Sequence, residues 1–311
     1  MQIIDLSEIR RRIVYGEVIA RMREALIASS RGECDTPMPM HLDIAEQDSE
    51  IHMKSSYRRG GKYFALKIAG TFPQNPARGL PTGSGMMMLC SAETGAPVAF
   101  LADGGHLTDV RTAAVAAMVA RELKRQDRAI GILGTGIQAR LQARMHAAIL
   151  RLEQVWIWGR SPEHAAQCRQ ELEESMPGTK VSVASSPTAV AARARLLITA
   201  TASRLPLLDA GDLRPGTLIS AVGSDSPGKH ELDPEILERA TLILVDSRRQ
   251  CEKLGELQHA PSERERAVEI GAFCQSGALR DPAGVMVCDY TGLGVEDLYI
   301  AEYCYEKGNA A

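Results

Sequence analysis

The hydrophobic and polar residues follow different patterns in successive parts of the chain. In residues 6–27, apolar side chains are spaced among charged ones in the way that is typical of one or two amphipathic helices. From 41 to 101, short apolar runs alternate with Gly, Pro and Asn clusters, which predicts a predominantly antiparallel sheet. Residues 108–123 are rich in alanine and contain no Gly or Pro. They predict a helix with Thr108 or Asp109 as its N-cap.

After residue 127, short apolar runs alternate with helical segments. This alternation predicts a doubly wound α/β domain, so the chain changes character near residue 115. The predicted strands cover 129–133, 155–158, 180–183, 196–199, 217–221 and 241–245, and the predicted helices cover 137–150 and 162–175.

Length and charge narrow the classes of function. The 311 residues suffice for about two domains of ~150 residues each. Lys and Arg number 36 and Asp and Glu 39, so the net charge is −3 and the electrostatic basis for binding nucleic acid or an anionic membrane is missing. Residues 1–12 are too charged for a signal peptide, and no apolar run is long enough to span a bilayer. We expect a cytoplasmic protein with a small-molecule partner, and neither a nucleic acid nor a membrane as partner.

The cysteines add one further expectation. There are seven, an odd number, and none forms a Cys-x-x-Cys pair. This argues against a disulfide framework and against a structural zinc site, so we expect a reducing compartment and no metal.

The most informative local motif is the glycine-rich segment that contains Gly134 and Gly136. An apolar strand precedes it and a helix follows. In this arrangement, backbone N–H groups and the positive end of the helix dipole would face the pyrophosphate of a bound dinucleotide, and glycine would allow the pyrophosphate to approach the backbone closely. A tight loop is the alternative, and Ala139 stands near the third position of the motif, where glycine or alanine is usual. The strand and helix units that follow favour a dinucleotide-binding site.

The end of the second strand of such a domain bears on the choice of cofactor. An acidic residue there would bind the ribose of NAD, but this chain has Arg160 and Ser161, which suit the 2′-phosphate of NADP. The alternative is that Arg160 stacks on adenine or lies in solvent. We therefore expect NADP or NAD, with a slight preference for NADP.

Three charged residues are candidates for chemistry. Arg111 lies near the start of an alanine-rich helix, where a cation needs a compensating anion; a substrate carboxylate and a salt bridge to Asp103 are equally good interpretations. Lys67 interrupts an apolar strand, and on an alternating strand it commonly points to water. Asp225 follows an apolar strand, at the edge where ligands bind open parallel sheets, and is suited to acid/base work or simply to forming a turn.

Taken together, these segments resemble the ornithine cyclodeaminase/mu-crystallin family of NAD(P)-dependent enzymes. The resemblance covers nearly the whole chain. Its motifs occur in order: Lys67 after a strand, LTDVRTAA at 107–114, GTGIQA at 134–139, WGRS at 158–161, TATAS at 199–203, GSDSPGKHEL at 223–232 and DYTGLGVEDL at 289–298.

The resemblance implies an α/β fold with two domains and a homodimer. A Rossmann-type NAD(P)-binding domain would cover 116–295, and an α+β substrate-binding and dimerisation domain would cover 1–115 together with 296–311. It also implies a set of cofactor-binding residues: Gly134, Thr135, Gly136, Ile137, Gln138, Arg160, Ser161, Thr199, Ala200, Thr201, Val222, Gly223, Lys229 and Gly292.

The resemblance further implies roles in catalysis. Arg111 is similar to the residue that clamps the substrate carboxylate, Lys67 to the active-site lysine, and Asp225 to the acid/base aspartate beside the substrate nitrogen. Hydride transfer between nicotinamide and a substrate carbon needs such a carboxylate anchor and a nearby proton-transfer group.

Two departures from the family pattern concern the substrate side chain. Ornithine cyclodeaminases carry an arginine near 39–41 and a glutamate shortly before the active-site lysine, where this chain has His41 and, near His52, Lys54. His41 and Lys54 would bind an acidic side chain, unless they are simply solvated. We expect an oxidoreductase acting on the C–N bond of a small amino or imino acid; the alternatives are a deaminating cyclisation and a non-catalytic NADPH-dependent ligand-binding protein.

Overall fold

A computed structural model describes residues 1–277 and 283–309. The strands are β1 (Gln2–Asp5), β2 (Cys34–Asp35), β3 (Met40–Ile44), β4 (Ser49–Arg58), β5 (Tyr63–Thr71), β6 (Gly83–Ser91), β7 (Pro97–Ala102), β8 (Ala129–Leu133), β9 (Gln154–Trp158), β10 (Lys180–Val183), β11 (Leu196–Thr199), β12 (Leu218–Ala221), β13 (Leu242–Val245), β14 (Val268–Glu269) and β15 (Met286–Asp289). The helices are α1 (Leu6–Arg12), α2 (Tyr15–Ser30), α3 (His106–Glu122), α4 (Ile137–Ala147), α5 (Pro162–Ser175), α6 (Pro187–Ala191), α7 (Pro234–Arg239), α8 (Arg248–Leu254), α9 (Ile270–Ser276) and α10 (Gly294–Asn309).

The chain divides into two compact units. The first consists of Met1–Thr112 with Leu293–Ala311, and the second of Ala113–Gly292. The predicted boundary after residue 115 differs from this division by three residues, and residues 310 and 311 of the predicted last helix lie outside the described part of the chain. That one unit binds substrate and the other NAD(P) stays a prediction.

In the first unit, the expected antiparallel sheet is confirmed. The strand order is β1-β7-β6-β5-β4-β2, with β3 paired to β4, and only the β1–β7 pair is parallel among these strands. The segment predicted as one or two amphipathic helices forms two, α1 and α2. Helix α10 contacts α2, β4 and β5, so the end of the chain covers the sheet of this unit.

In the second unit, the predicted doubly wound parallel sheet is confirmed. Eight strands run in the order β10-β9-β8-β11-β12-β15-β13-β14, and all of their pairings are parallel. The central strands are fully buried, which explains why they are continuous apolar runs rather than alternating ones. The predicted bounds agree with the structure within one residue at the strands; helix α4 ends three residues earlier than predicted.

Helix α3 begins earlier than predicted. Its first residue is His106, so Thr108 and Asp109 are not N-caps. The carboxylate of Asp103 instead accepts a hydrogen bond from the backbone N–H of Leu107, at 2.8 Å, because the two intervening glycines allow the chain to turn with positive φ. In the described part of the chain, no helix has both the length and the apolar character needed to cross a membrane.

Candidate active site

The glycine-rich loop of the second unit borders a cleft of about 540 Å³ at the carboxyl ends of β8, β9 and β11. Ligands of open parallel sheets bind at this edge. The cleft is lined by Gly134, Thr135, Gly136, Trp158, Gly159, Arg160, Ser161, His164, Ala200, Thr201, Ala202, Ser203 and Leu207.

The loop itself has the geometry that a pyrophosphate requires. Gly134 has a φ of +135°, and a Cβ at this position would lie 2.5 Å from the carbonyl oxygen of Ala200, so only glycine fits. Gly136 is the N-cap of α4, which places the positive end of that helix beside the cleft. Arg140 holds the loop from behind by donating to the carbonyl oxygens of Thr135 (2.6 Å) and Gly136 (3.0 Å). The residues present therefore fit a dinucleotide.

The two residues expected to select NADP occupy different positions at this cleft. Arg160 is exposed, while Ser161 is the N-cap of α5 and accepts a hydrogen bond from the N–H of His164 at 3.2 Å. The Ser161 hydroxyl thus has a structural partner within the protein. The preference for NADP stays a prediction.

The structure brings together about half of the predicted cofactor-binding residues. The seven that line the cleft are Gly134, Thr135, Gly136, Arg160, Ser161, Ala200 and Thr201. The seven that do not line it are Ile137, Gln138, Thr199, Val222, Gly223, Lys229 and Gly292. In the second group, Val222, Gly223 and Lys229 lie on the loop after β12 and Gly292 on the loop after β15. A network of carboxylates described next ties these loops to each other and to the loop after β11.

Glu231, which the sequence analysis did not single out, joins two of these loops. Its carboxylate accepts hydrogen bonds from the N–H and the hydroxyl of Thr201, both at 2.7 Å, and from the N–H of Gly223 at 2.9 Å. Thr201 follows β11 and Gly223 follows β12. The Glu231 side chain is fully buried, and this burial raises its pKa to about 6. Glu231 therefore fixes the spacing of two loops at the edge of the cleft.

Three further buried carboxylates repeat this arrangement. Each of Glu256, Asp289 and Asp246 accepts hydrogen bonds from two successive backbone N–H groups of a neighbouring loop. The donors are residues 231 and 232 for Glu256, 256 and 257 for Asp289, and 291 and 292 for Asp246, at 2.6–3.3 Å. Burial raises the pKa of Asp289 to about 7 and that of Glu256 well above its usual range. The loops at the carboxyl edge of the sheet are thus linked in series.

Asp225 lies in the loop after β12 and is half exposed. Its Oδ1 is 2.5 Å from Nζ of Lys229 and accepts a hydrogen bond from the hydroxyl of Ser226 at 3.1 Å. A carboxylate held in this way, beside a cation and near the edge of the sheet, is able to exchange protons with a bound substrate.

In the first unit, Lys67 and Arg111 meet at the start of α10. Nζ of Lys67 is 3.2 Å from Oδ2 of Asp297, Nε of Arg111 donates to Oδ1 of the same carboxylate at 3.1 Å, and Nη1 of Arg111 donates to Glu296 at 2.9 Å. All four side chains are at most 6% exposed. The interpretation of Lys67 as a solvated strand residue is therefore wrong, and the carboxylates that pair with Arg111 are these two rather than Asp103.

The placement of these charges has a physical cause. Glu296 and Asp297 stand in the first turn of α10, where the helix dipole favours anions. Since α3 begins at His106, Arg111 is in its second turn, so the predicted conflict with the dipole of α3 is weaker than expected. Burial, opposed by Asp297, lowers the pKa of Lys67 to about 7, so its charge changes near neutral pH.

Lys54 and His41 lie along the same face of the sheet as Lys67. Lys54 is the direct partner of Lys67 across β4 and β5, and its charge helps to lower the pKa of Asp297. His41 is the partner of His52 across β3 and β4, and its Nε2 lies 2.8 Å from Oδ1 of Asp43. The structure thus brings Lys54 to the buried cluster, whereas His41 lies in a polar group of its own farther along the sheet.

The sequence profile of the ornithine cyclodeaminase/mu-crystallin family matches residues 2–311. The chain belongs to this family. The family expected from the sequence motifs is therefore confirmed.

Its relatives within the family use nicotinamide cofactors or act on amino and imino acids. The chain is 31% identical to an alanine dehydrogenase of Archaeoglobus fulgidus, over 98% of this chain and 94% of that protein. It is 30% identical to an iminosuccinate reductase of Paracoccus denitrificans, over 85% and 82%. The structure of an archaeal alanine dehydrogenase dimer with bound NAD superposes with a TM-score of 0.90 at 28% identity, covering 100% of this chain and 96% of that one.

These relatives bear on the predicted reaction. The expected class, an NAD(P)-dependent oxidoreductase that acts on the carbon–nitrogen bond of a small amino or imino acid, is confirmed at the level of the family. The expected α/β fold with a Rossmann-type domain is confirmed by the likeness to the NAD-bound structure.

Proposed function

We propose that the protein reduces a small 2-imino acid or cyclic ketimine, and oxidises the matching amino acid in reverse, with NAD(P)(H). The observation that carries this proposal is the burial of Lys67 against Asp297, with Arg111 on the same carboxylate. A buried group of two cations and two carboxylates is costly to desolvate, so a role in binding substrate explains it better than a gain in stability does.

Each charged residue has a distinct part in this proposal. Arg111 would bind the substrate carboxylate, and Glu296 and Asp297 would fix the orientation of its guanidinium. Lys67, with its pKa lowered to about 7, would in its protonated form stabilise the substrate carboxylate and imine without giving up its proton. Asp225 would transfer the proton at the substrate nitrogen while Lys229 holds its carboxylate in place. In reduction, the C=N bond takes up one hydride at carbon and one proton at nitrogen.

The cleft of the second unit would hold the cofactor, which supplies or accepts the hydride. Gly134, Thr135 and Gly136 would bind its pyrophosphate, and Arg160 would contact the ribose side. An exposed arginine at this position favours NADP because a phosphate gives it a charged partner that a hydroxyl does not.

The substrate side chain would be short and acidic. Lys54 stands directly opposite Lys67, in the stretch where the family resemblance implies a glutamate in ornithine cyclodeaminases, so the side-chain end of the site would hold a cation instead of an anion. A second carboxylate on the substrate would pair with Lys54, and His41 lies farther along the same face. Similarity to an iminosuccinate reductase supports a dicarboxylate.

The test is a screen of NADH and NADPH oxidation with pyruvate, glyoxylate, oxaloacetate and cyclic imino acids, in ammonium or methylamine buffer. We expect turnover with both an oxo acid and ammonium present, and faster turnover with oxaloacetate than with pyruvate. The variant Lys54→Glu should reverse that order. If no carbonyl or imine substrate supports cofactor oxidation, the proposal is wrong; release of ammonia from ornithine without net cofactor oxidation would indicate a cyclodeaminase.

We also propose that the protein is a homodimer. One face of the first-unit sheet is apolar and exposed: Met40, Leu66, Ile68 and Met86 are each at least 40% exposed. Leu66 and Ile68 flank Lys67 on β5, so this apolar face is the opposite side of the sheet from Lys67. A second copy of the chain across a two-fold axis would cover the apolar face. The dimer of the archaeal alanine dehydrogenase supports this arrangement. Light scattering should give twice the chain mass for the wild type, and Ile68→Glu should give a monomer.

A further inference from the structure

A cluster of histidine and carboxylate side chains lies at the β3–β4 hairpin, apart from the buried Lys67 and Arg111. His41 and His52 are direct partners across the two strands, and Asp43 and Glu50 are the next such pair on the same face. The rings of the two histidines meet edge to face, with centroids 4.7 Å apart. The two strands thus bring together side chains that are seven and eleven residues apart in sequence.

The distances within this cluster are those of a metal site. One donor atom from each of His41, Glu50 and His52 lies within 4.8 Å of the other two. Oε2 of Glu50 is 3.5 Å from Nε2 of His52. Ligands that bind zinc at about 2.1 Å in a tetrahedron are about 3.4 Å apart, so small side-chain rotations suffice to close the site. Oδ1 of Asp43, 2.8 Å from Nε2 of His41, adds a second carboxylate.

The charges of the cluster also suit a cation. Two carboxylates and two imidazoles give a net negative charge when the histidines are neutral. Lys54, two residues along β4 from His52, is close enough to Asp297 to lower the pKa of that carboxyl, so its charge acts on the buried cluster. His52 and Glu50 are partly buried, at 22% and 29% exposure, whereas His41 and Asp43 are 37% and 75% exposed, so an ion can enter the cluster from solvent.

We propose that His41, Glu50 and His52 form a binding site for a divalent transition-metal ion such as Zn²⁺. Two imidazole nitrogens with one carboxylate are a donor set that suits zinc and neighbouring transition metals, whereas Mg²⁺ prefers oxygen ligands alone. The ion would join β3 to β4. Since β3 pairs only with β4 among the described strands, this would fix a strand that otherwise lies at the margin of the sheet. Glu50 and His52 have no part in the proposed oxidoreductase function, whereas His41 is also a candidate for binding the substrate side chain; the test therefore changes only Glu50 and His52.

The experiment is a calorimetric titration of the full-length, chelator-treated protein with zinc chloride, without cofactor or substrate. We expect one zinc ion per chain. His52→Asn and Glu50→Gln should each weaken binding by about tenfold or more. Glu46→Gln is the matched control, since Glu46 lies in the turn of the same hairpin and loses the same charge, and its affinity should equal that of the wild type.

Several results would overturn the proposal. These are no zinc binding by the wild type, equal binding by the wild type and both ligand variants, and equal affinity for Mg²⁺, which would indicate only attraction to surface carboxylates. X-ray absorption at the zinc edge gives a second readout: scattering from two imidazole rings is expected, and a shell without imidazole would refute the assignment. Since no turnover is measured, these outcomes leave the oxidoreductase proposal untouched.

Discussion

The variant Glu231→Gln isolates one link of the carboxylate series and keeps the size of the side chain. Glutamine retains an oxygen that accepts hydrogen bonds from the N–H and the hydroxyl of Thr201, as Oε1 of Glu231 does at 2.7 Å in the wild type. Its amide nitrogen, however, faces the N–H of Gly223, which donates to Oε2 at 2.9 Å in the wild type. The two groups are in close contact, since even a Cβ added at Gly223 would lie 2.5 Å from Oε2. The loop after β12 should therefore shift away from the loop after β11.

The magnitude of the change in stability follows from the pKa. Burial raises the pKa of Glu231 from 4.5 to about 6, so the folded protein holds this proton more tightly than the unfolded chain. The contribution of the group is fully present below pH 4.5 and is lost as the pH rises through 6. At about 1.4 kcal/mol per pKa unit, the loss totals about 2 kcal/mol. About 1 kcal/mol of this falls between pH 5 and pH 7.5, since the unfolded carboxyl is already largely ionised at pH 5.

The assay is urea unfolding of both proteins at pH 5.0, 6.0 and 7.5. The difference in unfolding free energy, wild type minus variant, should fall by about 1 kcal/mol from pH 5.0 to 7.5, because the glutamine side chain does not titrate. Affinity for NADPH, followed by its fluorescence, should also be weaker in the variant. A stability difference that is constant with pH would refute the buried, proton-holding role of Glu231, and unchanged cofactor affinity would refute its control of the loops.

Four further substitutions test the proposed roles of individual side chains. In imine reduction, kcat/KM should fall as the pH rises through about 7, where Lys67 loses its proton, and this inflection should vanish in Lys67→Arg; an inflection kept by the variant would assign it to another group. Asp225→Asn should bind cofactor normally and lose turnover by ~10²-fold, so wild-type turnover would remove Asp225 from proton transfer. Arg111→Lys should raise KM for carboxylate substrates and leave cofactor affinity unchanged; Arg111→Ala is a poorer test, since leaving buried carboxylates unpaired costs about 3–5 kcal/mol. Arg160→Ala should raise KM for NADPH more than for NADH, and an equal change would argue against selection of the 2′-phosphate.

The fold of the second unit was largely predictable because its local patterns agree with its tertiary structure. Its strands are short, buried on both faces and bounded by turns or helices, so each appears as an isolated apolar run. Strand β15 was missed, although it lies between β12 and β13 in the sheet. It consists of Met286–Asp289, and the apolar run at 285–288 does mark it, so the signal for this strand is present in the sequence. The start of α3 was misplaced because the capping carboxylate, Asp103, precedes two glycines rather than the helix itself.

The candidate site shows where local reasoning ends. The residue types at 67 and 111 drew attention because a charge in an apolar setting needs an explanation, yet a single strand or helix cannot supply the partner. Glu296 and Asp297 come from a helix about 185 residues later in the chain, and nothing near Arg111 in sequence indicates them. Their own position in the first turn after a glycine was the available signal, since acidic pairs there are favoured by the helix dipole whether or not a cation is present. The same reasoning applies to the cluster of His41, Glu50 and His52. A Cys-x-x-Cys pair can be seen in a sequence, whereas His41 and His52 become neighbours only through the register of β3 and β4. The register of two paired strands and the packing of the last helix onto the first unit are set by the tertiary structure. Each charged residue could therefore be predicted from the sequence, whereas its partner could not.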